Sequence, residues 1–389
     1  MRHLISHKSL QITEVQMTTR KSLLAVFFIF FIGLTKAWAL EAPTINGFLT
    51  AAASYENNDQ NAFYYNGIAT EKVRLDTFAN RVGLQIASKI NNQMKFTTQL
   101  LARGGPFNYQ VHMDWAYVNY QSNENLDIRI GKYKIPQFIV SDYFEVGYAY
   151  PWVRPPLDVY STNPLISISG LDFLYKYKTR DRTTFLLNAY YGDGTQTTFM
   201  PARTFDLMQA QGIQSPVAKG QPISFQTNQT VGVNISAKTD IWSFRIGYFQ
   251  TKVDSAAFNM KDVWGSFGGV GFTMDWHDVV SYAEYIARDT APEMAGAFPD
   301  QNAWYVTLGY RINKFLPIVT LSRMGEGKDK SDFVIEQHSV ALGFRYDFAT
   351  NADFKFEAQR IKPDDGNHGL FSVPVDRAMV YTATFDIIF

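Results

Sequence analysis

An all-β fold, a sixteen-stranded antiparallel up-and-down transmembrane β-barrel with an inward-folded third loop, is what this sequence predicts. Three observations predict it. Apolar and polar residues alternate with a period of two along most of the chain. The connections between these alternating segments are short and long by turns. The chain stops on an amphipathic strand, "MVYTATFDIIF", with an aromatic last residue. A soluble domain usually lets its terminus fray into polar coil. In a closed ring the last strand pairs with the first, here "APTINGFLTAAASY", and leaves no unpaired edge in hydrocarbon.

The period-two segments are explicit. "LDIRIG" opposes Leu126, Ile128 and Ile130 to Asp127 and Arg129. "IWSFRIGYF" opposes Trp242, Phe244, Ile246 and Tyr248 to Ser243, Arg245 and Gly247. "SVALGFRYDF" opposes Val340, Leu342, Phe344, Tyr346 and Phe348 to Gly343, Arg345 and Asp347. "KFTTQLLAR" puts Lys95, Thr97, Gln99 and Arg103 on one face, and "DFKFEAQ" separates Phe354 and Phe356 from Asp353, Lys355 and Glu357. Strict alternation of this kind is the signature of a strand with two unlike faces. Convincing helical periodicity is missing from the chain after its first forty residues.

Short turns fall near 90–93, 122–125, 179–182, 238–240, 275–278, 312–314 and 349–352. Longer loops fall near 56–79, 104–111, 134–165, 193–228, 253–266, 288–301, 325–335 and 363–376. Seven turns and eight loops in strict alternation divide the chain into sixteen strands. A soluble sandwich or β-helix shares the alternation. Aromatic residues near both strand ends, strands of ~10 residues and the short/long rhythm favour a membrane barrel.

Energetics decides which face looks inward. An arginine facing lipid at the midplane costs ~2–4 kcal/mol. Turning only Arg129, Arg245 and Arg345 outward would cost roughly 6–12 kcal/mol on that scale, against total stabilities of ~5–15 kcal/mol. The charged parity therefore faces the interior, and sixteen strands make a ring too wide for wall side chains to plug. A water-filled interior follows.

The N-terminus reads as an export signal. "TRKSLLAVFFIFFIGLTKAWA" has a basic start at Arg20 and Lys21, an apolar run from Leu23 to Leu34 and small residues at Ala37 and Ala39. Residues 1–39 are taken as a signal peptide, with Met17 a possible true start, and residues 40–389 as one barrel domain. The run is too short to span ~30 Å of hydrocarbon as a helix. The whole chain has 36 basic and 36 acidic residues, of which 1–39 hold five and one, so the remainder is 31 against 35, net −4. No basic excess points to nucleic acid. Cysteine is absent, which removes disulfides, thiolate metal sites and thiol nucleophiles together.

The third loop is the most distinctive stretch: "RIGKYKIPQFIVSDYFEVGYAYPWVRPPLDVYSTNPL". Its Phe138, Phe144, Tyr148, Tyr150, Trp152 and Tyr160 want burial, and Pro151, Pro155 and Pro156 stiffen it. Such a loop folds into the barrel, packs on its wall, narrows the pore and presents Asp142, Glu145, Arg154 and Asp158. Arg154 and Asp158 are also spaced for a pair within the loop.

The run "RIGKYKIPQ…VGYAYPWVRPPLDVY", the sixteen strands and the terminal Phe389 resemble the Gram-negative outer-membrane porin superfamily, particularly the branch related to phosphate-selective porins. The resemblance implies a homotrimer in outer-membrane lipid and lipopolysaccharide, whose third loop is a constriction and whose channel passes small hydrophilic solutes and ions passively. It implies a pairing of loop carboxylates Asp142, Glu145 and Asp158 with basic wall residues, for which Lys95, Arg103, Arg129, Arg245 and Arg345 stand on the inward parity. It also implies that the terminal strand is read by outer-membrane assembly machinery. The chain lacks the clustered lysines of a dedicated phosphate channel. On this reading, neutralising Asp142, Glu145 and Asp158 together lowers cation over anion permeability.

Other chemistry finds little footing. His112, His277, His338 and His368 belong to no HExxH or GxSxG pattern, so no enzyme is expected. No cofactor or metal constellation is visible, and "YYGDGTQTTF" and "GEGKDKSDF" read as loop turns. The alternatives kept open are a solute-selective channel, for anions such as phosphate or for another nutrient, and a surface receptor or adhesin acting through the 193–228 loop.

Overall fold

The structure, a computed structural model, describes residues 41–57, 73–75, 79–104 and 110–389. The segment read as a signal peptide, most of the first loop and the middle of the second lie outside the described residues. Sixteen long strands form the wall, and one two-residue strand, β2 (Arg74–Leu75), lies against β1. The wall runs β1 (Thr44–Glu56), β3 (Arg81–Lys89), β4 (Met94–Arg103), β5 (Gln110–Gln121), β6 (Leu126–Lys134), β7 (Ser167–Lys178), β8 (Thr184–Phe199) and β9 (Pro222–Lys238). It continues through β10 (Trp242–Ser255), β11 (Met260–Trp276), β12 (Val279–Thr290), β13 (Gln301–Tyr310), β14 (Phe315–Glu326), β15 (Gln337–Ala349), β16 (Ala352–Pro363) and β17 (Ala378–Ile388). Every neighbour in the ring is antiparallel, and β17 pairs back on β1 from Phe48↔Ile388 to Glu56↔Val380.

The seam closes at the last residue. The Phe389 N–H donates to the Gly47 carbonyl at 2.9 Å and the Gly47 N–H to the Phe389 carbonyl at 2.7 Å. Inside the seam, Asp386, the lone carboxylate of the terminal strand, accepts from Lys355 at 3.1 Å, from Thr384 at 3.1 Å and from Thr50 at 2.5 Å.

The outer parity is exposed and apolar. At the short-turn end it carries Tyr175, Tyr177, Phe185, Trp242, Trp276 and Tyr310, and towards the long loops Tyr191, Tyr248, Trp264 and Trp304. Amphipathic rings in two belts fit the two water–lipid boundaries. On the inner parity, the residues beside the third loop are buried, and Tyr133, Ile168, Tyr190, Phe249, Phe267 and Tyr305 form one apolar cluster with that loop.

Two connections differ from expectation. The 193–228 region is not one long loop: β8 runs to Phe199, β9 starts at Pro222, and a helix spans Ala202–Ala210 between them. The 253–266 region is a tight connection of residues 256–259, because β10 and β11 continue to Ser255 and from Met260. β9 and β11 each reach 17 residues, beyond the ~9–11 that a tilted strand needs to cross hydrocarbon. Above the hydrocarbon the outer face meets water while the inner face packs on loops. The polarity of the two faces therefore reverses: Pro222 and Ser224 are exposed, Ile223 and Phe225 buried.

Candidate functional site: the third loop inside the barrel

The third loop leaves β6 at Lys134, enters the barrel and returns to β7 at Ser167. Its backbone bends through short helical turns at Ser141–Tyr143, Gly147–Ala149 and Leu157–Tyr160. Proline residues keep these turns from growing into longer helices.

Wall side chains hold it from several directions. On β12, Glu284 accepts from the Ile139 N–H at 2.6 Å, the Tyr160 hydroxyl at 2.7 Å and the Tyr305 hydroxyl at 3.1 Å, with Arg245 at 3.4 Å. Arg245 also donates to the Pro136 carbonyl. On β15, Arg345 donates to the carbonyls of Tyr148 at 2.6 Å and Tyr150 at 3.3 Å. On β16, Lys355 donates to the Gly147 carbonyl at 2.5 Å. Gly147 sits so close to the wall that a Cβ there would lie 1.9 Å from an Asp386 oxygen. Only glycine lets the loop approach this closely.

Aromatic packing completes the seat. The Trp152 indole donates to Thr307 at 2.8 Å and meets the Tyr282 and Tyr305 rings at 4.8 and 5.6 Å. Phe138 meets Tyr160 at 4.5 Å and Phe267 at 5.6 Å. These edge and tilted contacts are the arrangements that ring quadrupoles favour.

The residues named from sequence fall into distinct settings. Glu145, 2% exposed, bridges Arg81 at 3.2 Å and Arg103 at 3.1 Å, bringing a loop carboxylate and a wall arginine together. Asp158 is fully buried and accepts from Gln337 at 2.5 Å and from Ser322. Its partners are these wall groups, not Arg154, which donates to Thr382 across the barrel. Asp142 is exposed. Arg129 pairs with Asp172 within the wall and stacks near the Tyr117 and Tyr133 rings at 5.3 and 5.6 Å. Lys95 is exposed near the short-turn end of β4. Arg245 and Arg345 face the loop and donate to its backbone carbonyls, while their ion pairs are with wall carboxylates, Glu284 for Arg245 and Asp347 and Asp353 for Arg345.

Arg81, Glu284, Lys355 and Asp386 belong to the site and are not among the site residues expected from sequence. Arg81 had a readable signal, since it opposes Val82, Leu84 and Ile86 in alternation. Glu284 shares its inward face with Tyr282 and Ile286, so an apolar setting hides it.

Beside the loop lies an open space of about 1,210 Å³. Arg81, Arg103 and Arg154 line it, together with neutral residues such as Ser141, Asn163 and Thr197; among the described residues no carboxylate does. Glu145 stands behind two of these arginines, and the surface facing this space is consequently basic.

No protein-family model matches this chain, and no curated protein sequence does. Solved structures do. An anion-selective porin from Comamonas acidovorans superposes with a TM-score of 0.58 at 11% identity, over 90% of this chain and 99% of that one. The outer-membrane channel DcaP of Acinetobacter baumannii gives 0.54 at 14% identity, over 89% and 97%. A loop-L8 deletion mutant of OmpT, an outer-membrane protein of Vibrio cholerae, gives 0.55 at 12% identity, over 90% and 100%. At such identities the likeness is one of fold, and the fold this chain shares is that of Gram-negative outer-membrane porins and channels.

Proposed function

We propose that this chain forms a water-filled channel for passive diffusion of small hydrophilic solutes and ions across an outer membrane, and that it prefers anions. The observation that carries the reading is the arginine-lined space beside a loop seated inside a closed barrel. Opposed or unbalanced charge at a narrow point sorts ions electrostatically. The overall charge of −4 after removal of 1–39 counts for less than the charges that water and solute can reach. Glu145 and Asp158 are spent on anchoring, so neutralising them acts on the seat of the loop first and on selectivity second. A trimer is the assembly proposed; OmpT of Vibrio cholerae has been solved in a trimer form. Export by the segment 1–39 and recognition of the strand ending in Phe389 by assembly machinery complete the proposal.

The test is a reversal potential in a planar bilayer under a potassium chloride gradient. The native protein is expected to pass chloride over potassium, and Arg103→Gln with Arg154→Gln to shift the ratio towards potassium. Steady conductance with a cation preference refutes the anion assignment. Absence of conductance, with strong binding of cells or phage, favours the receptor alternative.

A further inference from the structure

A second space lies at the long-loop end, beside the arginine-lined one. It holds about 970 Å³ of space between atoms, part of it open to solvent. Phe225, Phe258, Phe298, Phe333, Phe371 and Leu370 supply its apolar wall. The helix Ala202–Ala210 roofs it, with Ala202 and Thr204 in the lining. Arg203 pins that roof by donating to the Asp332 carbonyl at 2.9 Å and the Gly366 carbonyl at 2.7 Å.

Among the described residues Arg288 is the one charged side chain in this lining, and again the one charged side chain lining an adjoining space of about 410 Å³. It has no ion-pair partner among the described residues. Its guanidinium donates to neutral acceptors: Nε to the Pro299 carbonyl at 2.8 Å, Nη2 to Gln301 Oε1 at 3.0 Å, and Nη1 to the Thr162 carbonyl. Each terminal nitrogen keeps a second N–H beyond these bonds. The neighbouring carboxylate, Asp300, accepts instead from the backbone N–H groups of Thr290 at 2.8 Å and Asp329 at 3.1 Å. A cation in an apolar wall, held rigid but without a bonded counter-charge, calls for an anion.

We infer that this pocket binds a small amphipathic anion: a carboxylate carried on an aromatic or short aliphatic body. The carboxylate sits at Arg288, where charge-assisted hydrogen bonds are strongest, and the body lies among the phenylalanines. The pocket shares Pro164, Thr198 and Phe199 with the arginine-lined space, so a bound molecule is next to the lumen. The inference rests on the channel reading only for what happens after binding.

The test is calorimetry on the full chain in lipid nanodiscs, with 3-phenylpropanoate, its uncharged amide, and propanoate as probes. The native protein is expected to bind 3-phenylpropanoate, and the other two about tenfold more weakly or worse. Arg288→Gln removes the preference for acid over amide. Phe258→Ala weakens the acid while keeping that preference. Equal binding of acid and amide, no binding of the acid, or a preference that survives Arg288→Gln overturns the inference. Conductance of the same preparation reports separately on the channel: binding without conductance upholds the pocket and refutes the channel, and conductance without binding does the reverse.

Discussion

At the residue scale the third loop is held by buried wall charges that bond both to the loop and to one another. Glu284 is the clearest case, with four donors converging on one carboxylate. Glu284→Ala leaves two tyrosine hydroxyls without their acceptor and Arg245 without its carboxylate, and breaking such a buried network costs about 3–5 kcal/mol. A lowered urea midpoint in lipid vesicles is the expected outcome, with Thr307→Ser as a mild comparison. An unchanged midpoint for Glu284→Ala contradicts the anchoring role. The parity of Arg103, Arg245 and Arg345 was legible, because an outward arginine is too costly in lipid. Their partners were not. Alternation says that a side chain faces inward, and is silent on whether it meets water, a carboxylate or a backbone carbonyl.

At the element scale the strands and short turns were legible because hydrocarbon imposes one polarity on each face. Beyond the hydrocarbon that rule lapses, and so alternation does not mark the extensions of β8 to β11 or the helix Ala202–Ala210. The third loop was legible for a different reason: its aromatic and proline content does not suit open water. Where it sits was not legible, since Trp152 reaches Thr307, 155 residues away in sequence. Trp152→Ala removes a fully buried ring and is expected to cost about 3–5 kcal/mol. The urea midpoint should fall and the open-channel current should flicker as the loop loosens. A quiet current and an unshifted midpoint would place the loop's stability elsewhere.

At the scale of the whole molecule, closure is the property on which the rest depends. An open edge in lipid strands unpaired backbone groups. Here the terminal residue completes the ladder through two hydrogen bonds with Gly47. Deleting Phe389 removes both, so the truncated chain is expected to yield less folded barrel, visible as a smaller heat-modifiable band on electrophoresis. A yield equal to that of the full chain contradicts the structural role of the last residue. The amphipathic terminus was the first sign of a ring in the sequence, and β17 pairing on β1 is its physical counterpart.

The most direct test of a wet barrel narrowed by a seated loop is single-channel conductance of the native chain beside Gly147→Val. Valine has no room between loop and wall, where even a Cβ would meet Asp386 at 1.9 Å. The native protein should give steady ohmic steps, and the variant larger and noisier ones as the loop swings away. Native membranes that stay silent, or steps identical in the two proteins, would contradict the account.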